Sequence, residues 1–396
     1  MNRAAADLPA PPSAAAALSK QLVARITAEI ERSGGSIAFE RYMELALYEP
    51  GLGYYSAGST KLGRCGDFVT APEISPLFGQ CLARQVGEVL RAIGGGDVLE
   101  FGAGSGQLAA DVLGELERLE ALPRHYLILE VSADFRERQQ QRLRTHAPYL
   151  LPRVQWLTEL PRVPLHGVAL ANEVLDAMPV ARVRRESDGH WCELHVTASQ
   201  QEFDWRAVPV AAATPLAMEL AAIEQECGLL PAGYTTEVNL RIKAWFRSFA
   251  ESVARGAAFI FDYGYPRREY YHPQRTDGTL LCHYRHRAHS DPFILVGLQD
   301  ITASVDFTAA AEAAQVAGFE ISGYTSQAHF LLALGLTNVV AETAARDPAQ
   351  QLALAQQAKQ LTLPGEMGER FKVLALSKNV TVPLQGFSLS NQLHRL

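Results

Sequence analysis

Between residues 98 and 106 the chain reads Val98-Leu99-Glu100-Phe101-Gly102-Ala103-Gly104-Ser105-Gly106. The apolar run predicts a buried strand that ends in an acid, and the alternating glycines predict a tight turn into a helix over Gln107–Leu119. Such a strand–turn–helix unit brings backbone N–H groups close to a nucleotide-like ligand. A dinucleotide fingerprint requires a third glycine at its sixth place, where this chain has Gln107. The spacing therefore disfavours an NAD(P)-dependent oxidoreductase, which stays a lesser alternative.

The composition indicates a globular chain with an ample core. Of its 396 residues 48% are hydrophobic and 20% are charged, and the formal net charge is −7. A nucleic-acid partner is not expected, because binding to a phosphate backbone favours clustered Lys and Arg. No run of about 18 apolar residues occurs, so we expect no membrane span. The oligomeric state does not follow from the sequence.

The cysteines and the N-terminal segment bear on the compartment. The five cysteines are dispersed without a CxxC pair, which favours a reducing compartment (Cys65, Cys81, Cys192, Cys227 and Cys282). The first 18 residues are rich in Ala and Pro, contain Asp7 and carry a single arginine, which argues against a transit peptide. We therefore expect a flexible tail over residues 1–18 and a bacterial, cytoplasmic protein rather than one of the mitochondrial matrix.

Strands and helices alternate through most of the chain, which predicts an α/β fold with a doubly wound parallel sheet. The predicted strands are Val98–Phe101, Tyr126–Val131, Val154–Leu157, Val168–Ala171, Ala258–Phe261, Phe319–Tyr324 and Phe371–Leu376. The expected organisation after the tail is an N-terminal helical subdomain with a cofactor-covering loop (19–95), a Rossmann-like core (96–180), an inserted hairpin and helical cap (181–240), the remainder of the core (241–380) and a C-terminal tail (381–396).

Several segments together carry a family resemblance. The pattern from Glu100 to Gly106 resembles motif I of class I S-adenosylmethionine (SAM) methyltransferases. With it come RYMELALY at 41–48, GYY at 53–55, GDFVTAPEISP at 66–76, NEVLDAMPV at 172–180, FDYGY at 261–265, GLQDIT at 297–302 and VDF at 305–307. Met367-Gly368 before FKVL at 371–374 completes the set. In this order the segments resemble the MidA-like methyltransferases, which include a mitochondrial complex I assembly factor that methylates an arginine.

The resemblance implies a fold, a cofactor and a reaction. It implies a class I methyltransferase with a Rossmann-like seven-strand sheet, whose last strand is a hairpin partner, and SAM as cofactor. It further implies a protein substrate methylated on an arginine nitrogen to symmetric dimethylarginine, with a subunit of a respiratory NADH dehydrogenase as acceptor. The main alternative is a non-catalytic assembly or binding factor that keeps the SAM fold.

The expected cofactor site consists of seven residues. Gly102, Gly104 and Gly106 let the backbone pass close under the methionyl part of SAM. Glu100 is expected to receive the cofactor's amino group, with capping of the next helix as the alternative. Glu130 ends the second predicted strand, where an acid accepts hydrogen bonds from both ribose hydroxyls. The family match adds Asp67, in a loop expected to cover the cofactor, and Asn172, at the carboxyl edge of the sheet.

The expected acceptor site consists of Glu173, Asp176 and Tyr263. A guanidinium is a poor nucleophile because it is cationic at ordinary pH, and nearby carboxylates would hold its charge and help to remove a proton. Glu173 and Asp176 suit this role, although capping of a helix N-terminus is an alternative for both. Tyr263 is expected to stack on or orient the substrate. No metal site is expected: the tract from Cys282 to His289 interleaves histidines with arginines and lacks ligand spacing.

Overall fold

The computed structural model describes residues 8–57, 70–199, 202–382 and 384–396. Contacts divide the chain into two units, each made of segments that are distant in sequence. Unit 1 comprises Met1–Phe68, Leu175–Ile242 and Tyr265–Asp306, and unit 2 comprises Val69–Val174, Lys243–Gly264 and Phe307–Leu396. The expected insertion therefore shares a unit with the N-terminal segment. The same unit includes residues 265–306, so the expectation that they belong to the core is wrong.

The secondary structure alternates over most of the chain. The helices are α1 (Ser13–Arg32), α2 (Phe39–Tyr48), α3 (Ala71–Ile74), α4 (Pro76–Ile93), α5 (Gln107–Arg118), α6 (Ala133–His146), α7 (Pro215–Cys227), α8 (Ile242–Glu251), α9 (Arg267–Tyr270), α10 (Phe307–Val316), α11 (Gln327–Ala333), α12 (Leu336–Arg346) and α13 (Gln351–Thr362). The strands are β1 (Ile37–Ala38), β2 (Asp97–Phe101), β3 (Tyr126–Leu129), β4 (Val154–Leu157), β5 (Leu165–Asn172), β6 (Ala181–Arg185), β7 (Trp191–Ser199), β8 (Glu202–Pro209), β9 (Thr235–Val238), β10 (Val253–Tyr265), β11 (Leu281–Tyr284), β12 (Arg287–His289), β13 (Asp300–Thr302), β14 (Val305–Asp306), β15 (Glu320–Ser326) and β16 (Phe371–Lys378).

The sheet of unit 2 has the strand order β15-β16-β10-β5-β2-β3-β4. Strands β10, β5, β2, β3 and β4 pair in parallel, whereas β16 pairs antiparallel with both β10 and β15. All seven predicted strands are present, and the last one lies between its hairpin partner and the parallel strands. The expected class I methyltransferase sheet is confirmed.

Burial explains why these segments form the sheet. Strand β5 is buried at nearly every position, as expected for a parallel strand covered on both faces. Helix α4 ends at Ile93 and is followed by its C-cap residue Gly94, which adopts the left-handed conformation with φ 80°. Adjacent strands β2 and β5 are in parallel register, with Phe101 paired to Ala171. The residues that follow these two strands therefore leave the sheet at the same edge.

Unit 1 contains two smaller sheets. Strands β1, β7, β6 and β9 lie side by side with β8 paired to β7, and β12, β11 and β13 form the other sheet. The predicted hairpin is confirmed as the antiparallel pair of β6 and β7. Helix α1 buries Leu22, Ile26 and Ile30 on one face, at the four-residue spacing of an amphipathic helix.

Both chain termini are more ordered than expected. Helix α1 begins at Ser13, so residues 13–18 of the expected flexible tail are helical; the alanines after Ser13 have the highest helix propensity of any residue. In the expected C-terminal tail, Phe387 is buried and its ring packs 5.4 Å from that of Phe330. Within the described ranges no single helix is long and apolar enough to cross a membrane, and one bent pair, α11 with α12, qualifies by length and composition alone.

Candidate cofactor and catalytic site

The glycine loop follows β2 and has a left-handed backbone. Gly102, Gly104 and Gly106 have φ angles of 58°, 54° and 84°, a region that other L-residues rarely adopt. A Cβ added to Gly102 would meet no atom within 4 Å, so open space adjoins the loop there. The positive φ angles thus explain the glycines by themselves. The open space beside Gly102 also leaves room for a ligand close to the main chain.

Glu100 lies within β2 and is 2% exposed. Its Oε2 accepts a hydrogen bond of 2.7 Å from the hydroxyl of Tyr126 on neighbouring β3. Burial raises the pKa of Glu100 to about 7, opposed by the Tyr126 hydrogen bond and assisted by the charge of Glu130. The alternative role as a helix cap is wrong, since the N-cap residue of α5 is Gly106. Contact with the cofactor's amino group stays a prediction.

Glu130 follows directly after β3 and is 8% exposed. Its Oε1 accepts from the backbone N–H of Ser132 at 2.8 Å, and its Oε2 accepts from Nε2 of Gln139 at 3.2 Å. Burial raises the pKa of Glu130, while these two donors lower it. Each carboxylate oxygen has two lone pairs, so the group retains capacity for the two hydroxyls of a ribose.

Gln139 on α6 is a functional candidate that the sequence analysis missed. It is fully buried, and its Nε2 also donates to the carbonyl oxygen of Gly104 at 3.0 Å. The sequence of α6 is rich in Arg and Gln, so it gives little indication of a buried face. The spacing of Phe135, Gln139 and Leu143, one every four positions, nevertheless marks the face of the helix that is buried.

Asn172 and Glu173 lie at the end of β5. The Nδ2 of Asn172 donates to Oε1 of Glu173 at 3.2 Å, although consecutive side chains of a strand normally point to opposite faces. They meet because Glu173 has a left-handed backbone with φ 53°. The Oδ1 of Asn172 is buried and has no hydrogen-bond partner among the described residues. Strain and an unused acceptor at this edge suggest a binding role.

The structure also tests the capping alternative for Glu173 and Asp176. No helix begins in the described residues that follow β5 before the strand β6. Capping of a helix N-terminus is therefore wrong for both residues. The unit boundary falls between Val174 and Leu175, so Glu173 belongs to unit 2 and Asp176 to unit 1.

Asp176 is 4% exposed and lies in a polar cluster of unit 1. Its charge and that of Asp300 both raise the pKa of Tyr55, for which burial is the larger cause. The hydroxyl of Tyr55 donates to Oδ1 of Asp300 at 2.9 Å, and its ring stacks on Tyr48 at 5.5 Å. Tyr48 in turn donates to the carbonyl oxygen of Ala177 at 2.8 Å. The cluster holds the chain around Asp176 in place.

Tyr263 lies on β10, next to the fully buried Asp262. Its ring packs edge-on against Phe371 of β16, with ring centres 5.5 Å apart. The backbone N–H of Tyr263 donates to Oδ1 of Asp262 at 3.0 Å, so this acid holds the backbone near the end of β10. A substrate contact of Tyr263 stays a prediction. Asp67, the remaining candidate, lies outside the described residues.

The histidine-containing tract from Cys282 to His289 forms a hairpin. Strands β11 and β12 pair antiparallel through a two-residue turn of Arg285 and His286, whose φ angles are 46° and 60°. Cys282 is buried, and burial raises the pKa of its thiol. In the part of the chain that the structure describes, no group of three His, Cys, Asp or Glu side chains is arranged to hold a metal ion.

Comparison with known proteins identifies relatives over most of the chain. The model of a family described as "Putative S-adenosyl-L-methionine-dependent methyltransferase" matches residues 81–325. A Drosophila melanogaster protein named "Protein arginine methyltransferase NDUFAF7 homolog, mitochondrial" is 30% identical, over 94% of this chain and 88% of its own. The human NDUFAF7 is 29% identical, over 87% of this chain and 81% of its own.

A solved structure agrees with this fold in detail. The crystal structure of a "likely methyl transferase" from Burkholderia thailandensis, bound to S-adenosyl-homocysteine, has a TM-score of 0.93 and 46% identity. The match covers 98% of this chain and all of that one. A native structure of a protein from the same organism has a TM-score of 0.90, also at 46% identity.

The sheet order and the glycine loop define a class I SAM-dependent methyltransferase. Within that class, the chain belongs to the MidA-like family, as the family model and the relatives show. SAM as the cofactor is thereby confirmed, and the residues fit it. Gly102 leaves open space beside the backbone, and Glu130 is a buried acid with acceptor capacity for a cis-diol. The oxidoreductase alternative finds no support.

Proposed function

We propose that this methyltransferase acts on an arginine side chain of a protein. The observation that carries the proposal is the Asn172–Glu173 pair, which leaves the sheet at the same edge as the glycine loop because β5 and β2 are parallel neighbours in register. The relatives are named as protein arginine methyltransferases, and these names support the same acceptor. An acid and an amide oxygen at the cofactor edge suit a cationic substrate.

The chemistry of the pair follows from its residue types. When bound, SAM supplies an electrophilic methyl group. Glu173 would hold the positive charge of the guanidinium on the nitrogens that do not react, and would take up the proton that the methylated nitrogen loses. The Nδ2 of Asn172 orients this carboxylate, and its Oδ1 is available to accept from an N–H of cofactor or substrate. Tyr263, which belongs to the same unit as Glu173, would complete the acceptor site. A catalytic role of Asp176 stays a prediction.

The finer assignment rests on the family resemblance. We propose symmetric dimethylarginine as the product, a subunit of a respiratory NADH dehydrogenase as the acceptor protein, and the bacterial cytoplasm as the location. A dimethylated product needs no second base, because one carboxylate can serve the first and the second methylation alike.

The test is transfer of radiolabelled methyl groups from SAM to proteins of a cell lysate, followed by acid hydrolysis and identification of the labelled amino acid. Glu173→Gln should lower the rate by about 100-fold or more, as removal of a general base does, while S-adenosylhomocysteine binds as to the wild type. The matched control is Glu159→Gln, which removes an exposed carboxylate of unit 2 and should leave the rate unchanged.

Three results would count against the proposal in different ways. Label in an amino acid other than arginine would refute the acceptor class. An unchanged rate in Glu173→Gln would refute the role of the pair. Binding of S-adenosylhomocysteine without any labelled protein would favour the non-catalytic binding factor.

A further inference from the structure

Gln139 connects three parts of the cofactor edge that are separate in sequence. Its Nε2 donates to Gly104 in the glycine loop and to Glu130 after β3, at 3.0 Å and 3.2 Å. Its Oε1 accepts a hydrogen bond of 2.9 Å from Nε1 of Trp156 on β4. Every polar atom of this fully buried side chain is therefore used.

The orientation of the amide is dictated by its partners. An indole N–H only donates, so the oxygen of Gln139 has to face Trp156. The nitrogen then faces two acceptors, a carbonyl and a carboxylate, and offers one hydrogen to each. Rotating the amide by half a turn would place two acceptors against the oxygen and two donors against each other, leaving all three bonds unmade.

The backbone beneath Gln139 is fixed as well. A Cβ on Gly106, the N-cap residue of α5, would lie 3.0 Å from Cα of Gln139, so α6 packs directly against the end of the glycine loop. The side chain is thus held at both ends, by close packing of its Cα and by the hydrogen bond from Trp156. Such over-determined placement is what a rigid binding site requires.

We propose that Gln139 is a positioning residue for SAM, which locks the glycine loop to the carboxylate that receives the ribose hydroxyls. The proposal rests on SAM as the cofactor and on Glu130 as the ribose partner, and it is independent of the acceptor. Donation from Gln139 favours the ionised form of Glu130 against the effect of burial, and an ionised carboxylate accepts hydrogen bonds more strongly than a neutral one.

The test measures calorimetric affinities for S-adenosylhomocysteine and for its analogue that lacks both ribose hydroxyls. Gln139→Leu should weaken binding of S-adenosylhomocysteine by about 10-fold, the order expected for lost hydrogen bonds to a charged group. Binding of the analogue should weaken much less, so the discrimination between the two ligands shrinks. Gln139→Glu should also lose discrimination at pH 8 and regain part of it at pH 6, where the two neighbouring carboxyls share a proton.

The matched control is Gln85→Leu. Gln85 is also fully buried in unit 2, but it bonds to Glu88 and to the backbone of Gly386 instead of the loop. This variant should bind both ligands with wild-type discrimination, whatever it costs in stability. If Gln139→Leu does not fold, Gln139→Glu and Trp156→Phe provide the same comparison.

Two results from the Gln139 variants would overturn the proposal. Equal weakening of both ligands in the Gln139 variants would assign the residue a general structural role rather than one in ribose recognition. Wild-type discrimination in those variants would show that Glu130 is positioned without it. A wild type that failed to bind S-adenosylhomocysteine would instead overturn the cofactor assignment, and this proposal with it.

Discussion

Replacing Glu100 by glutamine removes a charge from the interior of the sheet while it keeps the shape of the side chain. Glu100 is 2% exposed and lies in the middle of the parallel strands, where burial raises its pKa from 4.5 to about 7. A glutamine retains an oxygen that accepts the hydrogen bond from Tyr126. The change therefore isolates the titration of one buried carboxyl.

The sign of the effect follows from proton binding. Between pH 4.5 and about 7 the folded chain keeps a proton on Glu100 that the unfolded chain has lost, so the free energy of unfolding of the wild type falls as pH rises through this window. A pKa difference of about 2.5 corresponds to about 3 kcal/mol. Above pH 7 this cost is fully present, and Glu100→Gln does not have it.

The measurement is urea unfolding of both proteins without SAM, at several pH values from 4.5 to 8.5. The stability of Glu100→Gln relative to the wild type should increase by about 3 kcal/mol over this range. The comparison uses only how the difference in free energy of unfolding between variant and wild type changes with pH. The cost of burying the extra amide N–H is the same at every pH and therefore cancels. The control is Glu159→Gln, whose carboxylate is exposed.

A flat pH dependence would refute the reasoning. It would mean that the folded protein keeps Glu100 ionised as readily as the unfolded chain does, so that the hydrogen bond from Tyr126 offsets the effect of burial on the pKa. A decrease in relative stability with pH would show that an unidentified positive charge stabilises the carboxylate. Either result would change the interpretation of Glu100 from a buried acid that is neutral at low pH to a permanent anion beside the glycine loop.

Two further predictions concern the backbone and an ion pair. Gly106→Ala and Gly94→Ala both place a side chain at positive φ, which should lower the free energy of unfolding by about 1 kcal/mol in each variant. Only the new Cβ at position 106 would also meet Gln139, so Gly106→Ala should lose more stability than Gly94→Ala in thermal unfolding. Equal losses would refute the close approach of Gly106 to Gln139. Arg241 in unit 1 donates to Glu44 at 2.8 Å, and this bond is the main cause that lowers the pKa of Glu44 to about 2. Its stabilisation is fully present above pH 4.5 and is lost as pH falls through about 2, so in urea unfolding Arg241→Leu should be less stable than the wild type at pH 7, by a margin that narrows steadily between pH 4.5 and pH 2; a pH-independent difference would contradict this.

The strands of the sheet were predictable because burial on both faces produces apolar runs. Strand β5 contains the apolar run Val168-Ala169-Leu170-Ala171, which identifies it as a strand in the sequence. The ends were less well defined: β10 extends from Val253 to Tyr265, well beyond the predicted Ala258–Phe261. Its additional residues pair with β5 and β16, and pairing between distant segments leaves no local pattern.

Two features of unit 1 had little local signal. The hairpin turn at Arg285 and His286 has two positive φ angles but lacks the Asn-Gly or Asp-Gly sequence that usually indicates such a turn. The joining of residues 1–68, 175–242 and 265–306 into one unit depends on contacts over long sequence distances. A sequence read segment by segment assigns these parts to separate regions.

Gln139 shows a different limit of sequence interpretation. Its position on α6 was accessible from the spacing of Phe135 and Leu143, but a glutamine at a core position predicts only that partners exist. The partners come from the glycine loop, from the residue after β3 and from β4. Sequence motifs identified two of these three segments as functional, and the residue that joins them belongs to no motif.

Asn172 and Glu173 illustrate how a local backbone feature produces chemistry. If β5 continued in extended conformation, the two side chains would point to opposite faces and no hydrogen bond would join them. The left-handed φ of Glu173 ends the extended path, and the amide then reaches the carboxylate. Because a carboxylate only accepts, the amide has to present its nitrogen to Glu173, which leaves Oδ1 as a buried acceptor. Glutamate at positive φ raises the free energy of the folded backbone, and glycine or asparagine would adopt this conformation more easily. Neither of those residues, however, would supply a carboxylate.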